Sequence, residues 1–204
     1  MEEVAETDPK IVAIVLAAGM STRMGQQKLL LPWGKETVIE HIIGIVHKAG
    51  LDSIVVVTGK KDPILNSVLN QLGCRLVKNP EYSNGSMVTS LQKGLATIQN
   101  TDTDAVMIFL GDQPTLQTST ILKTVDAYKR SFSPIVVPSY QLHQGHPWLV
   151  DKNSWSEILQ LSSKETMKSF LFQHKKSIQY VLVDTPTILQ DMDTPEEFQN
   201  IKPD

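Results

Sequence analysis

The residues Ile11-Val-Ala-Ile-Val-Leu16 run without a polar interruption and lead directly into Ala17-Ala-Gly19. Six consecutive apolar residues are typical of a strand that is buried on both faces of a parallel sheet. The small residues that follow leave backbone N–H groups open to a bulky anion, and glycine also permits a positive φ. Arg23 and Lys28 then supply a planar guanidinium and a mobile ammonium. The stretch therefore predicts a buried strand that ends in a polyphosphate-binding loop.

Two familiar phosphate-binding loops do not match this stretch. A P-loop has four residues between its glycines and then Gly-Lys-Ser/Thr, whereas five residues separate Gly19 from Gly25 and Leu29 follows Lys28. The dinucleotide-binding fingerprint needs a third glycine at a spacing that this loop lacks. The loop therefore belongs to another class of phosphate site.

Composition limits the remaining possibilities. The chain has 204 residues, 41% of them hydrophobic, which suits a single domain with one sizeable core. A net charge of −3 provides no overall basic field, so we expect no nucleic-acid partner. Cys74 is the only cysteine and lies in an apolar run, which predicts a packed core thiol. Residues 1–10 form a polar tail, and no apolar run could span a membrane, so we expect a cytoplasmic protein.

Strand and helix patterns alternate along the chain. The predicted strands are Ile11–Leu16, Ser53–Thr58, Arg75–Lys78, Ala105–Leu110, Ile135–Pro138, Pro147–Val150 and Ile178–Val183. The predicted helices are Thr37–Gly50, Asp62–Gly73, Met87–Ile98, Thr118–Lys129, Ser154–Leu161 and Glu165–His174. Strict alternation up to about residue 135 implies right-handed crossovers. We therefore predict an α/β, three-layer domain with a mostly parallel, doubly wound sheet.

Asp112 follows the predicted strand Ala105–Leu110 through Gly111. Ligands of such sheets bind beyond the carboxyl ends of the strands, which places Asp112 on the same edge as Arg23 and Lys28. Mg²⁺ takes a few carboxylate oxygens together with phosphate oxygens and water, so this aspartate suits a metal beside a triphosphate. The alternative is that Asp112 only caps the turn before Pro114.

A second acidic pair, Asp191 and Asp193, precedes Thr194 and Pro195, which begin a predicted helix with capping-box spacing. In an extended chain, alternate residues point the same way, so the two carboxylates could complete a metal site with Asp112. The alternative is a purely structural helix start.

Two further loops carry polar side chains. Ser86, Thr89 and Ser90 lie at a predicted helix N-terminus, which favours an anion or a polar base edge, with an ordinary N-cap as the alternative. The turn His143-Gln-Gly-His-Pro147 has no cysteine or further ligand cluster nearby in sequence to support zinc. Substrate contact or proton handling suits it better, and a simple loop is the alternative.

Five motifs occur in this order: Leu16-Ala-Ala-Gly-x-Ser-x-Arg-Met-Gly-x-x-Lys28, Asn79-Pro-Glu-Tyr-x-x-Gly85, Gly111-Asp-Gln-Pro114, Gly145-His-Pro147 and Asp191-Met-Asp-Thr-Pro195. Their combination, over residues 11–199, resembles the MobA-like nucleotidyltransferase family. Within that family it looks most like the MocA-type molybdenum cofactor cytidylyltransferases and the PucB-type proteins that serve xanthine dehydrogenase. The resemblance implies a Rossmann-like single domain over residues 11–200. It also implies Mg²⁺-dependent transfer of CMP from CTP to the terminal phosphate of molybdopterin cofactor, with release of pyrophosphate.

The resemblance assigns roles to matching positions. Arg23, Lys28 and Asp112 would be catalytic, and Asp112 and Asp193 would bind the metal. The nucleotide would contact Leu16, Ala17, Ala18, Gly19, Ser21, Arg23, Lys28, Gly85, Ser86, Ser90 and Asp112. The acceptor would contact Gln113, Gly145, His146 and Pro147.

The base and the acceptor are predicted from two local differences. Guanylyltransferase relatives resemble Leu-Ala-Gly-Gly in the first motif, so Ala18 favours cytosine. Gln144 stands where an arginine is common in MocA-type relatives, so the acceptor is less well defined than the nucleotide. Two alternatives remain: a guanylyltransferase or sugar-phosphate nucleotidyltransferase, and a non-catalytic carrier that delivers the finished cofactor to a client molybdenum hydroxylase.

Overall fold

The computed structural model describes residues 8–19, 21–59, 61–83, 86–162 and 164–203. The predicted turn at Asn84-Gly85, the nucleotide contact of Gly85 and most of the polar tail lie outside the described residues. Residues 8–10 of that tail lie against the domain, since the Lys10 backbone N–H donates to Asp104 Oδ2 at 2.8 Å.

The strands are β1 Ile11–Ala17, β2 Pro32–Trp33, β3 Glu36–Thr37, β4 Ile54–Thr58, β5 Arg75–Lys78, β6 Ala105–Leu110, β7 Ile135–Tyr140, β8 His143–Gln144, β9 Trp148–Asp151 and β10 Ile178–Leu182. The helices are α1 Val38–Lys48, α2 Pro63–Gln71, α3 Met87–Ala96, α4 Thr118–Ser131, α5 Trp155–Gln160, α6 Met167–Gln173 and α7 Pro195–Ile201.

The main sheet has the strand order β10-β7-β9-β6-β1-β4-β5, and the short strand β8 pairs with β7 outside this order. β1 is parallel to both β4 and β6, and β4–β5 and β7–β10 are also parallel pairs. β9 is antiparallel to both β6 and β7. The prediction of a mostly parallel, doubly wound sheet is therefore confirmed, with β9 inserted antiparallel and the two-residue β8 also antiparallel to β7.

Alternate side chains of β1 enter two different cores. Ala13 and Val15 join the cluster that packs under α1, α2 and α4, whereas Val12 and Ile14 join the cluster under α3, α5 and α6. Helices thus cover both faces of the sheet, which confirms the three-layer α/β domain. Both faces of β1 are buried, which explains why its sequence is apolar throughout.

Several predicted ends differ from the observed ones. β7 continues through Pro138 to Tyr140 because Pro138 lacks only a donor, and its carbonyl still accepts from the Gly145 N–H at 3.0 Å. α6 begins at Met167 because Thr166 caps it, with its side chain accepting from the Ser169 N–H. The short pairs β2–β3 and β7–β8 were not predicted, since two-residue strands have no periodicity to detect.

Two simpler predictions can also be compared with the structure. Cys74 is buried, and burial raises the pKa of its thiol to about 11, as expected of a packed core cysteine. Among the helices of the described residues, none has the length and apolar character needed to cross a membrane.

Candidate active site

The loops after β1 and β6 leave the sheet side by side. Leu16 pairs with Leu110 in the parallel register, and the Gly111 N–H donates to the Leu16 carbonyl at 3.0 Å. A Cβ built on Gly111 would lie 3.0 Å from that carbonyl oxygen, so a larger residue would crowd this approach. The close contact places Asp112 directly beside the loop that carries Arg23 and Lys28.

Four charged side chains meet at this edge. Lys28 Nζ lies 2.5 Å from Asp112 Oδ2 and 2.8 Å from Asp193 Oδ1. Arg23 Nη2 lies 2.5 Å from Asp193 Oδ2. We call Arg23, Lys28, Asp112 and Asp193 the charge cluster. The structure therefore brings together the predicted catalytic and metal-binding residues, which are separated by up to 170 positions in sequence.

The ion pairs of the charge cluster favour the charged forms of Lys28 and Asp193. Burial favours a lower pKa for Lys28, but the Asp112 and Asp193 carboxylates outweigh it, and the pKa lies above its ordinary value. The hydrogen bond from Lys28, together with the Lys28 and Arg23 charges, lowers the pKa of Asp193. Two cations and two carboxylates thus neutralise one another when no ligand is bound.

The segment Asp191–Asp193 is anchored by backbone and side-chain contacts. The Met192 N–H donates to the Asp112 carbonyl at 2.9 Å, and the Asp193 N–H donates to Glu197 Oε2 at 2.9 Å. The predicted capping box of Thr194 and Glu197 is confirmed. The segment is therefore both a helix start and part of the candidate site, so the two interpretations are compatible.

Asp191 and Asp193 have different partners, although alternation predicted a common direction. Asp193 contacts the two cations, whereas Asp191 Oδ1 accepts from Gln113 Nε2 at 2.8 Å. Partial desolvation, aided by repulsion from Asp112 and Asp193, raises the pKa of Asp191. The chain turns at this segment, so the simple extended-chain argument does not apply.

A cavity of about 530 Å³, the nucleotide-side cavity, lies between the loop after β1 and the loop after β4. It adjoins a second depression of about 260 Å³ that extends toward α3 and Asp112, and Gly19 and Tyr82 border both. Positive φ angles at Ser21 and Gly25 shape the loop. A groove lined by Arg23, Lys28 and Asp193 adjoins both. The described residues that were predicted to contact the nucleotide all line the cavity, the depression or this groove: Leu16, Ala17, Ala18, Gly19, Ser21, Arg23, Lys28, Ser86, Ser90 and Asp112.

The start of α3 is not capped by its serine. Ser86 occupies the N-cap position, but its side chain makes no capping hydrogen bond. Ser90 Oγ instead accepts from Asn79 Nδ2 at 2.9 Å, and Thr89 Oγ1 donates to the Ser86 carbonyl. The Asn79-Pro-Glu-Tyr82 motif therefore positions the first turn of α3, while Ser86 Oγ is left without a described partner.

A further cavity of about 460 Å³, the acceptor-side cavity, lies between β9, α6 and the loop after β10. Gln113, Gly145 and His146, which were predicted to contact the acceptor, line it, and Pro147 is buried between His146 and Trp148. Asp191 lines both this cavity and the depression beside Asp112. The acceptor-side cavity therefore adjoins, through Asp191, the depression that Asp112 of the charge cluster lines.

Gly145 is required by the path of the chain. A Cβ at this position would lie 2.3 Å from the Ile188 carbonyl oxygen, a backbone atom that cannot move away easily.

Gly145→Ala is therefore expected to lower the free energy of unfolding by about 1–3 kcal/mol, measured by urea denaturation. Gly44→Ala is the matched control: it lies within α1 with no atom within 4 Å of the added Cβ. It should raise stability by about 0.5–1 kcal/mol. Equal effects of the two substitutions would contradict this account.

His146 is buried and neutral. Its ring stacks on Trp148 with 4.1 Å between centroids and 19° between planes, and only 8% of the residue is exposed. Burial, with a smaller contribution from the Lys168 charge, lowers the pKa of His146 to about 3. The imidazole therefore offers a neutral ring to the cavity.

This shift predicts a pH-dependent stability. Between pH 3 and 6.5, His146 is protonated in the unfolded chain but stays neutral in the folded chain. The free energy of unfolding therefore decreases as the pH falls through this window. The loss is about 1.4 kcal/mol per pH unit for one group. His146→Phe, which keeps an aromatic ring, should weaken the fall in unfolding free energy between pH 6.5 and 5 by about 2 kcal/mol relative to wild type. Parallel curves for the two proteins would contradict the assignment.

Four buried polar atoms on the walls of the acceptor-side cavity have no hydrogen-bond partner among the described residues. They are Ser86 Oγ, Gln113 Oε1, His146 Nε2 and Trp148 Nε1. Each such atom costs about 1–3 kcal/mol while it stays unpaired.

Some residues of the site were not identified from the sequence. Tyr82 packs so closely on Gly59 that a Cβ there would lie 2.5 Å from its ring. Trp148, Met167 and Ile188 complete the acceptor-side cavity. Tyr82 and Trp148 lie inside or next to quoted motifs, which was a usable signal, whereas Met167 and Ile188 have only core-like sequence contexts.

The chain belongs to the MobA-like NTP transferase domain family, whose model matches residues 13–178. This confirms the family predicted from the five motifs and makes the chain a member of a nucleotidyltransferase family. It is 30% identical over 200 residues to the molybdenum cofactor cytidylyltransferase of Escherichia coli strain K12, and the match covers 94% of this chain and 95% of that protein.

Solved structures agree with the fold. Rv0371c from Mycobacterium tuberculosis H37Rv superimposes with a TM-score of 0.80 at 24% identity, covering 96% of this chain and 98% of that one. Its complex with manganese gives a TM-score of 0.76 at 22% identity, with coverages of 95% and 98%. A nucleotidyl transferase from Methanothermobacter gives 0.79 at 22% identity, with coverages of 95% and 96%.

Proposed function

We propose that the chain transfers CMP from CTP to the terminal phosphate of molybdopterin cofactor and releases pyrophosphate. The observation that carries this proposal is that Asp112 of the charge cluster lines the depression that shares Gly19 and Tyr82 with the nucleotide-side cavity and Asp191 with the acceptor-side cavity. A transfer between two polyanions needs cations at the point where they meet. The name of the E. coli relative supports cytidine and molybdenum cofactor as the two substrates.

The chemistry requires no enzyme nucleophile. The acceptor phosphate is already ionised at neutral pH, so the main tasks are alignment of the two anions and stabilisation of the departing pyrophosphate. The Arg23 side chain is 67% exposed, so it can exchange its carboxylate partner for oxygens of the triphosphate. The Lys28 side chain is buried between two carboxylates, and its ammonium carries three donors that can turn toward a phosphate oxygen beside them. In this scheme the acceptor oxygen attacks the α-phosphorus, the bond to the β-phosphate breaks, and the electron pair leaves on pyrophosphate.

Asp112 and Asp193 are the residues that would hold Mg²⁺. Their carboxylates both lie within 2.8 Å of one cationic atom, Lys28 Nζ, and carboxylate oxygens are the ligands that Mg²⁺ prefers. Within the described part of the chain, no cluster of three or more His, Cys, Asp or Glu side chains forms a metal cage, so phosphate oxygens and water would complete the coordination. When bound, Mg²⁺ would neutralise charge on the phosphates. The manganese complex of Rv0371c is consistent with this use of the fold.

Ala18, which lines the depression next to Asp112, supports cytosine as the base, because guanylyltransferase relatives resemble Leu-Ala-Gly-Gly in this motif. The proposed product would serve maturation of a molybdenum hydroxylase such as xanthine dehydrogenase.

A pyrophosphate-release assay with CTP, GTP, ATP and UTP, each with and without molybdopterin, tests the proposal. We expect release that depends on both CTP and molybdopterin. Preference for GTP would identify a guanylyltransferase, and release that depends on a sugar phosphate would identify the other transferase class. Cofactor binding without nucleotide-dependent release would favour the carrier.

A further inference from the structure

We infer that β10, the last strand of the sheet, is a dimerisation surface that pairs in antiparallel orientation with β10 of a second copy of this chain. Within the described part of the chain, β7 lies on one side of β10 and no strand lies on the other. An uncovered edge strand is a template for the addition of a further strand. The proposed function gives β10 no role, so the dimer and the proposed function can fail independently.

The backbone groups of Ile178, Tyr180 and Leu182 point away from β7. The Val183 N–H donates to the Ser139 carbonyl of β7 at 3.0 Å. Successive residues of a strand direct their N–H and carbonyl groups to opposite edges, so the odd-numbered residues bond to β7 and the even-numbered ones face the open edge. Each of these residues carries one donor and one acceptor. The open edge therefore presents the hydrogen-bonding groups that a further strand needs.

The side chains of the same three residues form an apolar face. Ile178, Tyr180 and Leu182 alternate along the strand and so lie on one side of the sheet. Leu182 is 73% exposed and Tyr180 is 43% exposed. Edge strands of soluble proteins are commonly protected by a charged residue or a proline, and the β10 sequence Ile-Gln-Tyr-Val-Leu contains neither. This composition is typical of a strand that is covered.

An antiparallel pair centred on Tyr180 meets the requirements of a symmetric dimer. In this register Tyr180 lies opposite Tyr180 of the second copy, and Ile178 of each copy lies opposite Leu182 of the other. Residues that face the open edge thus meet one another, which is the hydrogen-bonded pairing of an antiparallel ladder. The exposed Leu182 packs on an isoleucine. A two-fold dimer needs such a self-complementary surface.

Charges at the two ends of β10 fit the same register. Lys176 stands two positions before the strand and Asp184 two positions after it, and both are exposed. The Asp184 side chain is 97% exposed, and its contact with Lys123 Nζ is long, at 3.5 Å. Antiparallel pairing brings Lys176 of each copy beside Asp184 of the other, whereas parallel pairing would bring like charges together. This complementarity makes a second copy the partner that the edge fits.

The dimer leaves both candidate active sites complete. The paired strands point in opposite directions, so the carboxyl edges that carry the two charge clusters face opposite ends of the dimer. Each copy keeps its own charge cluster and cavities, and a separated copy should still transfer CMP.

Sedimentation velocity over a range of protein concentrations tests the inference. Wild-type protein should shift from the 22.7 kDa monomer to twice that mass. We expect a Kd of about 1–100 µM, because a single strand with its flanks makes a small interface. Leu182→Lys places a charge in the apolar pairing and should weaken the dimer by about 100-fold. Ile64→Lys is the matched control, because Ile64 is 67% exposed on α2, which packs beside β5 at the other end of the sheet. It should leave the Kd unchanged.

Charge reversal tests the register of the pair. Lys176→Glu and Asp184→Lys should each weaken the dimer by about 10-fold, because attraction becomes repulsion at both symmetry-related contacts. The double variant restores opposite charges and should return the Kd to the wild-type value. Hydrogen exchange gives a second readout: the amide protons of residues 178, 180 and 182 should exchange more slowly as the protein concentration rises.

Four outcomes would overturn the inference. They are a wild-type protein that stays monomeric throughout the concentration range, a dimer that Leu182→Lys does not weaken, a double variant as weak as the single variants, and edge amides whose protection is independent of concentration. The last outcome would show that another segment of the same chain covers the edge. Absence of CMP transfer from a protein that dimerises as expected would instead contradict the proposed function alone.

Discussion

Asp112→Asn is expected to reduce CMP transfer by about 10²–10³-fold, the usual effect of removing one group that stabilises transition-state charge. Asparagine keeps the size of the side chain but removes the charge that would hold a divalent metal and that now pairs with Lys28 at 2.5 Å. The Asp112 side chain is partly exposed, so an amide should be tolerated there without loss of the fold.

Steady-state pyrophosphate release, with a urea denaturation curve for each protein, measures this effect. Asp62→Asn is a useful control, because Asp62 caps α2 and lines the nucleotide-side cavity away from the charge cluster. It should cost some stability but far less turnover. Near-wild-type transfer by folded Asp112→Asn would remove Asp112 from the catalytic machinery.

Lys28→Met is expected to change nucleotide and metal binding in opposite directions. The substitution removes a cation for the triphosphate, so CTP binding should weaken by about 10–100-fold, the value of one or two charge-assisted hydrogen bonds. It also removes the ammonium that lies between Asp112 and Asp193, so Mn²⁺ alone should bind more tightly than it does to wild type. A merely destabilised protein would lose affinity for both ligands.

Isothermal titration calorimetry with CTP in one series and Mn²⁺ in another separates the two effects. Lys48→Met removes the same charge from the exposed end of α1 and should leave both affinities unchanged. Weaker Mn²⁺ binding by folded Lys28→Met would show that the lysine does not occupy the place of a metal. Unchanged CTP binding would remove Lys28 from the nucleotide site.

The parts of the fold that were predicted from the sequence are those that depend on local patterns. The apolar run of β1, the capping box at Thr37 and the proline start of α2 each define an element within a few residues. The parallel alternation then predicts that the ends of β1 and β6 share an edge, which brings Asp112 to Lys28. That argument needs only the handedness of the crossovers.

Other features depend on contacts between distant segments. The strand that became β9 was predicted, but its place between β6 and β7 was not, because no local signal gives the order of strands in a sheet. Its antiparallel direction relative to β7 agrees with the short connection, since residues 141–147 are too few for a parallel crossover. The separate partners of Asp191 and Asp193 depend on the docking of their segment against Asp112. The acceptor-side cavity combines Trp148, Met167 and Ile188 from three elements, and the sequence contexts of Met167 and Ile188 resemble ordinary core positions.

The central claim is that the charge cluster promotes the transfer of CMP from CTP to the phosphate of molybdopterin. Following a label from CTP to the acceptor tests this claim most directly. Wild-type protein is incubated with molybdopterin, Mg²⁺ and CTP labelled at the α-phosphate, and the label is followed by chromatography. We predict that it moves to molybdopterin in equal amount to the pyrophosphate released, and that Asp112→Asn slows the transfer by about 10²–10³-fold. Label that stays in CTP, or that appears only in free CMP whatever acceptor is present, would contradict the account.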